Sequence, residues 1–300
     1  MTLNSYKNWN FYLGWLCFLI SFTVYFLTAE PTVSFWDTGE YITTSSKLQV
    51  GHPPGAPLYQ MLGAIFSIFA LNAENIGFTM NLMSGFSSAL SIAIMFWTIS
   101  LIISRIVLIN LDPEQNKLKI FGPAFIGSMS FAFTDSFWFN AVEAEVYAMA
   151  SLILSLLFWL GLKWTEDLDK PRGDKWLILI SFVIGLSFGV HFMGLLAIPA
   201  VGLLYYFKKY NFNLKSFLLA NIISISILLF IFKLLLPTTL SIFGYVEVFF
   251  VNEIGLPFNY GTIFSAILLI LTIYYLLNKS FRENSYMLNT ITLCVTFIFI

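Results

Sequence analysis

Charged residues are scarce in this sequence. Only 10% of the 300 residues are charged, whereas 58% are hydrophobic and the mean hydropathy is +0.83. A soluble domain usually carries about 25% charge. So much apolar surface does not fit a water-soluble core, and the composition therefore predicts an integral membrane protein. Because the apolar runs are long and continuous instead of short and alternating, we expect an all-α bundle and not a β-barrel.

Cysteine, histidine and the common nucleotide-binding motifs are also rare or missing. The two cysteines, Cys17 and Cys294, both lie inside apolar runs, which predicts small core residues and not a disulfide or metal pair. The formal net charge of −1 suggests no polyanion-binding surface, so no nucleic-acid partner is expected. The sequence contains no P-loop, dinucleotide glycine fingerprint, HExxH or GxSxG motif. ATP-driven transport, nucleotide-cofactor chemistry and the common hydrolase mechanisms therefore have no support.

Long apolar segments account for most of the chain. A further stretch, 56–71, is short for a crossing and is typical of an interfacial or re-entrant helix. The sequence ends inside an apolar run, so we expect one transmembrane domain over residues 1–300 that is a fragment truncated within a helix. The eight full segments are 11–28, 78–107, 120–138, 147–163, 176–190, 192–207, 215–236 and 261–277, and a ninth covers 287–300.

The basic residues predict the orientation in the membrane. If the amino terminus is cytoplasmic and 56–71 lies on the outer surface, 13 of the 15 basic residues are cytoplasmic, and only Lys47 and Lys233 are not. A multi-pass membrane protein is therefore expected, in the inner membrane if the source is bacterial. An outer loop over 29–77, a short outer turn over 139–146 and an outer loop over 237–260 follow from this orientation.

The first outer loop contains a pair of acidic residues, Asp37 and Glu40. If a helix begins near Thr38, both carboxylates lie on one side of its first turn, where the helix dipole favours them. Lys47 continues that face, and His52 begins a His-Pro-Pro-Gly turn. The alternative interpretation is a solvated amphipathic surface helix without a catalytic role.

The second outer turn adds Glu143 and Glu145. Asn140 and Glu143 resemble a capping box, which would give Glu143 a structural role. Glu145 lies close to the hydrocarbon and has no basic neighbour in sequence. Acidic residues at membrane depth are energetically costly and more often have a functional role than none. His191 also falls on the outer side in this orientation, although a lone histidine at a helix end is often only a packing residue.

Three motifs carry a resemblance to a known family. The segments WDxGE at 36–40, HPPGxPL at 52–58 and AxEAEVY at 141–147 occur in this order. Together they resemble a family of membrane proteins related to protein O-mannosyltransferases, long described only as a domain of unknown function, within the GT-C superfamily of multi-helix glycosyltransferases. The similarity is strongest over about 30–160. It implies a GT-C-like transmembrane bundle with interfacial helices in the first outer loop.

The resemblance also implies an activity. The donor would be a polyprenyl-phosphate sugar, typically mannose, and the acceptor a Ser or Thr hydroxyl of a translocated protein. Transfer would invert the anomeric carbon and take place in the periplasm or lumen. The expected partners are therefore the lipid-linked donor, the acceptor protein and the lipid bilayer.

Residue roles follow from the same resemblance. Asp37 matches the catalytic base and Glu40 its companion, but related enzymes often have an adjacent Asp-Glu pair, so the residue that acts as base stays open. The leaving phosphate requires cations or donors, for which His52, Lys47 and His191 are candidates in that order. Glu143 and Glu145 form the acidic site of the second loop. We expect no required metal or cofactor, although the carboxylates could hold a divalent cation.

Two other functions remain open from the sequence. A multi-pass secondary transporter would place polar groups near the bilayer midplane and would show inverted repeats or broken helices. A non-catalytic membrane assembly subunit would need no paired outer carboxylates. Because the acids cluster at one predicted surface and no repeat is found, the sequence favours the glycosyltransferase.

Overall fold

The computed structural model describes residues 2–107 and 116–299, and every regular element in these ranges is helical. Six helices there are long and apolar enough to cross a membrane, which confirms the predicted all-α membrane bundle. Ile300, the last residue of the predicted ninth segment, lies outside the described residues. The α-helices are α1 Thr2–Thr28, α2 Thr38–Ser46, α3 Pro57–Ser67, α4 Ile76–Val107, α5 Lys117–Ala132, α6 Asp135–Ala141, α7 Val146–Asp167, α8 Lys175–Phe188, α9 Ala197–Lys209, α10 Leu214–Leu229, α11 Leu236–Asn252, α12 Tyr260–Arg282 and α13 Tyr286–Ile298.

The chain divides into two compact units. Unit 1 comprises Met1–Leu162 and Leu186–Gly194. Its core lies between α1, α4 and α5, where Cys17, Phe96 and Ile120 are fully buried. Van der Waals packing of these side chains holds the helices together, because lipid around membrane-spanning helices is as apolar as the side chains themselves. Both cysteines are free, as predicted, but Cys294, which belongs to unit 2, is only partly buried and is not the core residue that was expected.

Polar contacts distinguish the two ends of unit 1. At one end, the Asn81 side chain donates to the carbonyl of Glu30 (2.7 Å), and the Glu30 N–H donates to the Val142 carbonyl (3.0 Å). At the other end, Lys117 donates to the Ser5 hydroxyl (2.7 Å). The loop after α1 and the turn before α7 are therefore held together at the end remote from Lys117.

The first predicted outer loop contains two short helices. Helix α2 begins at Thr38, as expected, and α3 has 11 residues, which is too short for a crossing. A Cβ added at Gly63 of α3 would lie 2.8 Å from the Ser45 Cβ of α2. The missing side chain therefore allows the two helices to pack closely.

The predicted crossing over 120–138 is wrong in its bounds. Helix α5 ends at Ala132, and Thr134 has an extended backbone (ψ 142°) that separates α5 from α6. Asn140 lies inside α6 and donates to the Ser136 carbonyl (2.8 Å). Because α7 begins only at Val146, Asn140 does not cap it, and the capping-box interpretation is also wrong.

Unit 2 comprises Lys163–Gly185 and Leu195–Ile300. The predicted loop over 237–260 is wrong, because α11 extends to Asn252 and forms part of a helical run of 39 residues, Leu214–Asn252. A π-helical turn, Phe230–Leu235, directly precedes α11, and Pro237, which lacks an N–H, lies inside this continuous run just after the turn.

Two further predicted crossings correspond to shorter helices. The segments 176–190 and 287–300 contain α8 with 14 residues and α13 with 13 residues. At 1.5 Å per residue, helices of this length span roughly 20 Å, which is less than the hydrocarbon core of a bilayer.

Candidate active site

Asp37, Glu40 and His52 lie together at the loop end of unit 1. The backbone N–H of His52 donates to Glu40 Oε1 (2.6 Å), and His52 Nδ1 lies 2.9 Å from Glu40 Oε2. His52 Nε2 lies 3.9 Å from Asp37 Oδ2. Asp37 immediately precedes α2, but its side chain makes no capping hydrogen bond, so the carboxylate is not used by the helix. We call these three residues the acid–imidazole cluster.

Electrostatics favours a charged pair in this cluster. The hydrogen bond from the His52 backbone N–H lowers the pKa of Glu40 most, and the bond from the His52 ring lowers it further. The same ring bond raises the pKa of His52. The imidazolium therefore persists to higher pH than that of an isolated histidine. The side chains of His52 and Asp37 are 47% and 55% exposed, so both are accessible to a substrate.

The acid–imidazole cluster has a spacing that a divalent cation could bridge. One ligand atom from each of the three side chains lies within 4.8 Å of the others. The two hydrogen bonds between His52 and Glu40 account for this arrangement without an ion. We therefore assign no metal ligands.

Glu143 is buried behind the start of α2. The Ser34 hydroxyl donates to Glu143 Oε2 (2.5 Å) and lies 3.2 Å from the Thr38 hydroxyl. Burial raises the pKa of Glu143, and the bond from Ser34 partly opposes this. Because Glu143 is only 2% exposed, it holds the segment before Asp37 in place and is not accessible to a substrate.

Glu145 approaches the acid–imidazole cluster from the buried side. It is 4% exposed, and its Oε1 atom has no hydrogen-bond partner among the described residues. Burial is the largest cause that raises the pKa of Glu145, to about 7, and the negative charges of Asp37 and Glu143 also contribute. The structure thus brings the two predicted acidic sites together, although they are more than one hundred residues apart in the chain.

His191 lies near this region but outside the acid–imidazole cluster. Its Nδ1 accepts the backbone N–H of Met193 (3.1 Å), which leaves the proton of the neutral ring on Nε2. Its ring centre lies 5.4 Å from that of Tyr147, and burial lowers its pKa. A phosphate-binding role for His191 stays a prediction.

Lys47 is not brought to the acid–imidazole cluster. It caps the carboxyl end of α2, whereas Asp37 precedes the amino end. Ten residues separate them, which corresponds to about 15 Å along a helix axis. The phosphate-binding role of Lys47 also stays a prediction.

Several supporting residues were not found from the sequence. Ser34 binds Glu143, and Tyr59 packs edge to face on Tyr41 with ring centres 5.1 Å apart. The backbone N–H of Tyr59 donates to the Gly189 carbonyl (3.1 Å). Tyr59 directly follows the HPPGxPL motif, which was the one available signal, whereas nothing in the sequence distinguishes Ser34 from other small polar residues.

Fold and site together define a multi-span helical membrane protein with acidic and imidazole side chains gathered in its first long loop. Residues 37–214, more than half of the chain, match the family model described as "Protein O-mannosyl-transferase TMEM260 N-terminal domain". The chain belongs to this family, which confirms the resemblance drawn from its motifs.

Two curated relatives are similar to this chain. Protein O-mannosyl-transferase tmem260 of Dictyostelium discoideum is 25% identical over 196 residues, which cover 61% of this chain and 22% of the relative. Protein O-mannosyl-transferase TMEM260 of Mus musculus is 25% identical over 167 residues, which cover 55% and 21%. The match thus spans about a fifth of the length of each relative. No solved structure matches the chain.

Proposed function

We propose that this chain carries the catalytic site of a GT-C-type inverting glycosyltransferase. It moves a sugar, mannose, from a polyprenyl-phosphate donor to a Ser or Thr hydroxyl of a protein. Family membership and the names of the two relatives support a transferase acting on proteins. The observation that carries the proposal is an accessible carboxylate, Asp37, 3.9 Å from the imidazole of His52.

Asp37 is the catalytic base in this proposal. A hydroxyl is a weak nucleophile at neutral pH, and a carboxylate that accepts its proton during attack accelerates such reactions by about 10²–10⁴-fold. Both oxygens of Glu40 are engaged by His52, whereas Asp37 makes only the 3.9 Å approach to the ring. Glu40 therefore holds the histidine, and Asp37 is left to take the proton.

His52 is the first candidate for the donor phosphate. The leaving phosphate gains negative charge as the glycosidic bond breaks, and a positioned cation stabilises that charge. Glu40 favours the imidazolium form of His52, whereas His191 is held in its neutral form by burial. Since an imidazolium supplies the positive charge, the proposal includes no required metal, and transfer should continue in the presence of a chelator.

The proposal includes an orientation. With the amino terminus in the cytoplasm, the loop that holds Asp37 and His52 faces the periplasm or lumen, where a translocated acceptor protein is found. The basic residues support this orientation through the positive-inside rule. The apolar tail of the donor would lie among the membrane-spanning helices.

The first prediction concerns Asp37→Asn in the full chain. Purified protein is supplied with polyprenyl-phosphate mannose and a Ser- and Thr-containing peptide, and mannosylated peptide is measured. We expect the variant to lose at least about 100-fold in rate, because the amide cannot accept the proton. Its melting temperature should not change, since the Asp37 side chain makes no capping bond.

Asp135→Asn is the matched control. Asp135 is an exposed acid in the first turn of α6, and the same substitution there should leave transfer intact. Transfer by Asp37→Asn at the wild-type rate would refute the role of Asp37. Absence of transfer by the wild-type chain would refute the proposed activity itself.

A further inference from the structure

Glu145 is a buried acid without a countercharge. Its side chain lies directly before α7, is 4% exposed, and has an oxygen, Oε1, that no described residue binds. Burial raises the pKa of Glu145 most, and the charges of Asp37 and Glu143 raise it further. The His52 ring, which also faces Glu145, is already bound by Glu40. An ionised carboxylate without a countercharge costs more free energy in such a place than a neutral carboxylic acid does, and the backbone N–H groups of Asp37 and Val146 offset only part of this cost.

The groups that face Glu145 come from every neighbouring element. Helix α2 and the residue before it contribute Tyr41 and Asp37, α3 contributes Tyr59, the turn before α7 contributes Glu143, and the loop between α2 and α3 contributes His52. Of these, only His52 carries positive charge. The surroundings therefore disfavour a negative charge on Glu145.

Glu145 also faces the hydroxyl of Tyr59, which is fully buried. The Tyr59 hydroxyl in turn lies against that of Ser84 on α4. Glu145, Tyr59 and Ser84 thus form a buried polar group behind the exposed carboxylate of Asp37.

We propose that Glu145 is kept as a neutral carboxylic acid behind Asp37 and that this neutral form positions the Asp37 carboxylate for catalysis. The inference rests on the proposed function and deepens it. The backbone N–H of Asp37 faces the Glu145 carboxyl, so the two residues are coupled through both backbone and charge. When Glu145 releases its proton to solvent, its new negative charge repels the Asp37 carboxylate and displaces that side chain, while the backbone N–H of Asp37 stays bound.

This positioning depends on pH in a defined direction. Burial raises the pKa of Glu145 to about 7, so the neutral form predominates below neutral pH and is lost as the pH rises. Asp37 acts as the base only while Glu145 is protonated. The maximal rate, kcat, therefore falls on the alkaline side, by about tenfold per pH unit above the pKa.

The test uses Glu145→Gln in the full chain, with kcat measured at saturating donor between about pH 6 and about pH 9. Glutamine has the shape of the neutral acid but cannot ionise. In the wild type, kcat should fall as the pH rises above neutrality, and we expect this fall to be absent from Glu145→Gln. At the highest pH, kcat of the variant should therefore exceed that of the wild type. A fall that persists in the variant, or loss of transfer by a folded variant at every pH, would overturn the inference.

A second measurement separates this inference from the proposed function. The infrared spectrum of a protonated carboxyl group differs from that of a carboxylate, and the difference between wild type and Glu145→Gln isolates residue 145. We expect a protonated-carboxyl band at acidic pH that disappears as the pH passes neutrality. No such band at acidic pH would refute a neutral Glu145 even if transfer occurs, whereas a band without any transfer would refute only the proposed activity.

Discussion

The pair formed by Glu40 and His52 shows how one residue determines the chemistry available to another. Glu40 accepts both a backbone N–H and the ring nitrogen of His52, at 2.6 and 2.9 Å. Charge-assisted bonds of this kind are stronger than those between neutral groups. Glu40 thereby raises the pKa of His52 and leaves Asp37 as the uncommitted carboxylate of the acid–imidazole cluster.

A prediction for Glu40→Gln follows. In the wild type, His52 loses its proton only as the pH rises through its raised pKa, so donor binding should weaken there. Without the Glu40 carboxylate, the pKa of His52 falls back towards its ordinary value. Donor binding should therefore begin to weaken at a lower pH than in the wild type. We expect the KM for polyprenyl-phosphate mannose at neutral pH to rise about tenfold, as for the loss of one charge-assisted contact.

The pH profile of KM distinguishes this effect from that of Glu145. Glu40→Gln should shift the pH dependence of KM, whereas Glu145→Gln should change that of kcat. A KM profile identical to that of the wild type would contradict a role for Glu40 in holding His52.

Single residues were predictable from the sequence to different degrees. The spacing of Asp37 and Glu40 placed both at the start of one helix, since residues three apart share a face. The contact between Glu40 and His52 could not be derived, because it depends on how the chain returns twelve residues later. Glu143 was ascribed to a cap because local spacing resembled one, whereas its partner, Ser34, lies 109 residues away.

At the scale of elements, α2 and α3 form a rigid support for the acid–imidazole cluster. The side chain of Gln60 on α3 donates to the Thr44 hydroxyl on α2 (2.9 Å), and both side chains are buried. Gly51, in the loop between the helices, lies against both Gln60 and Glu40. The loop therefore sets the position of Glu40 without contributing a functional group.

Gly51→Ala tests this support. The added Cβ would lie 2.8 Å from Gln60 Nε2 and 3.1 Å from Glu40 Oε1, so it should displace both side chains. Gly51 does not have a positive φ, so the backbone accepts alanine. We expect transfer to fall about tenfold, the loss that follows from weakening one charge-assisted contact. The melting temperature should also fall, because the buried bond from Gln60 to Thr44 is displaced.

Gly244→Ala is the control for this prediction. A Cβ there meets no atom within 4 Å, and the position lies inside α11, where alanine is a better helix former than glycine. Transfer should be unaffected. Full activity in Gly51→Ala would show that the position of Glu40 does not depend on this close contact.

The elements themselves were predictable where apolar periodicity is long and uninterrupted. Helices α1, α4, α7 and α12 correspond to predicted segments because each is a sustained apolar run. The loop expected over 237–260 was wrong because the helical run continues through Pro237 to Asn252, across a π-helical turn. The break at Thr134 was not predicted, although Thr134, Asp135 and Ser136 interrupt the apolar run and are residue types typical of a helix start.

At the scale of the whole molecule, function depends on which side of the membrane holds the site. Loops from distant parts of unit 1 meet at one end, and Lys117 lies at the other. A secondary transporter would place its titratable groups near the bilayer midplane. The acid–imidazole cluster instead lies in a loop and at a helix start, which favours chemistry at a membrane surface.

The orientation is testable with single cysteines in a background that lacks Cys17 and Cys294. Glu74→Cys lies in the first long loop and Lys170→Cys between α7 and α8, and both positions are exposed. A membrane-impermeant maleimide applied to intact cells or sealed vesicles should label only the position outside the cytoplasm. We expect Glu74→Cys to be labelled and Lys170→Cys to be protected until the membrane is opened; the reverse pattern would contradict the proposed orientation.

The central claim is that Asp37 takes the proton of the acceptor while Glu40 only holds His52. The most direct measurement compares kcat for mannosyl transfer by Asp37→Asn and Glu40→Gln, each at saturating lipid-linked donor. We predict that Asp37→Asn abolishes transfer and that Glu40→Gln keeps most of its maximal rate. Equal loss in both variants, or transfer by Asp37→Asn at the wild-type rate, would contradict this account.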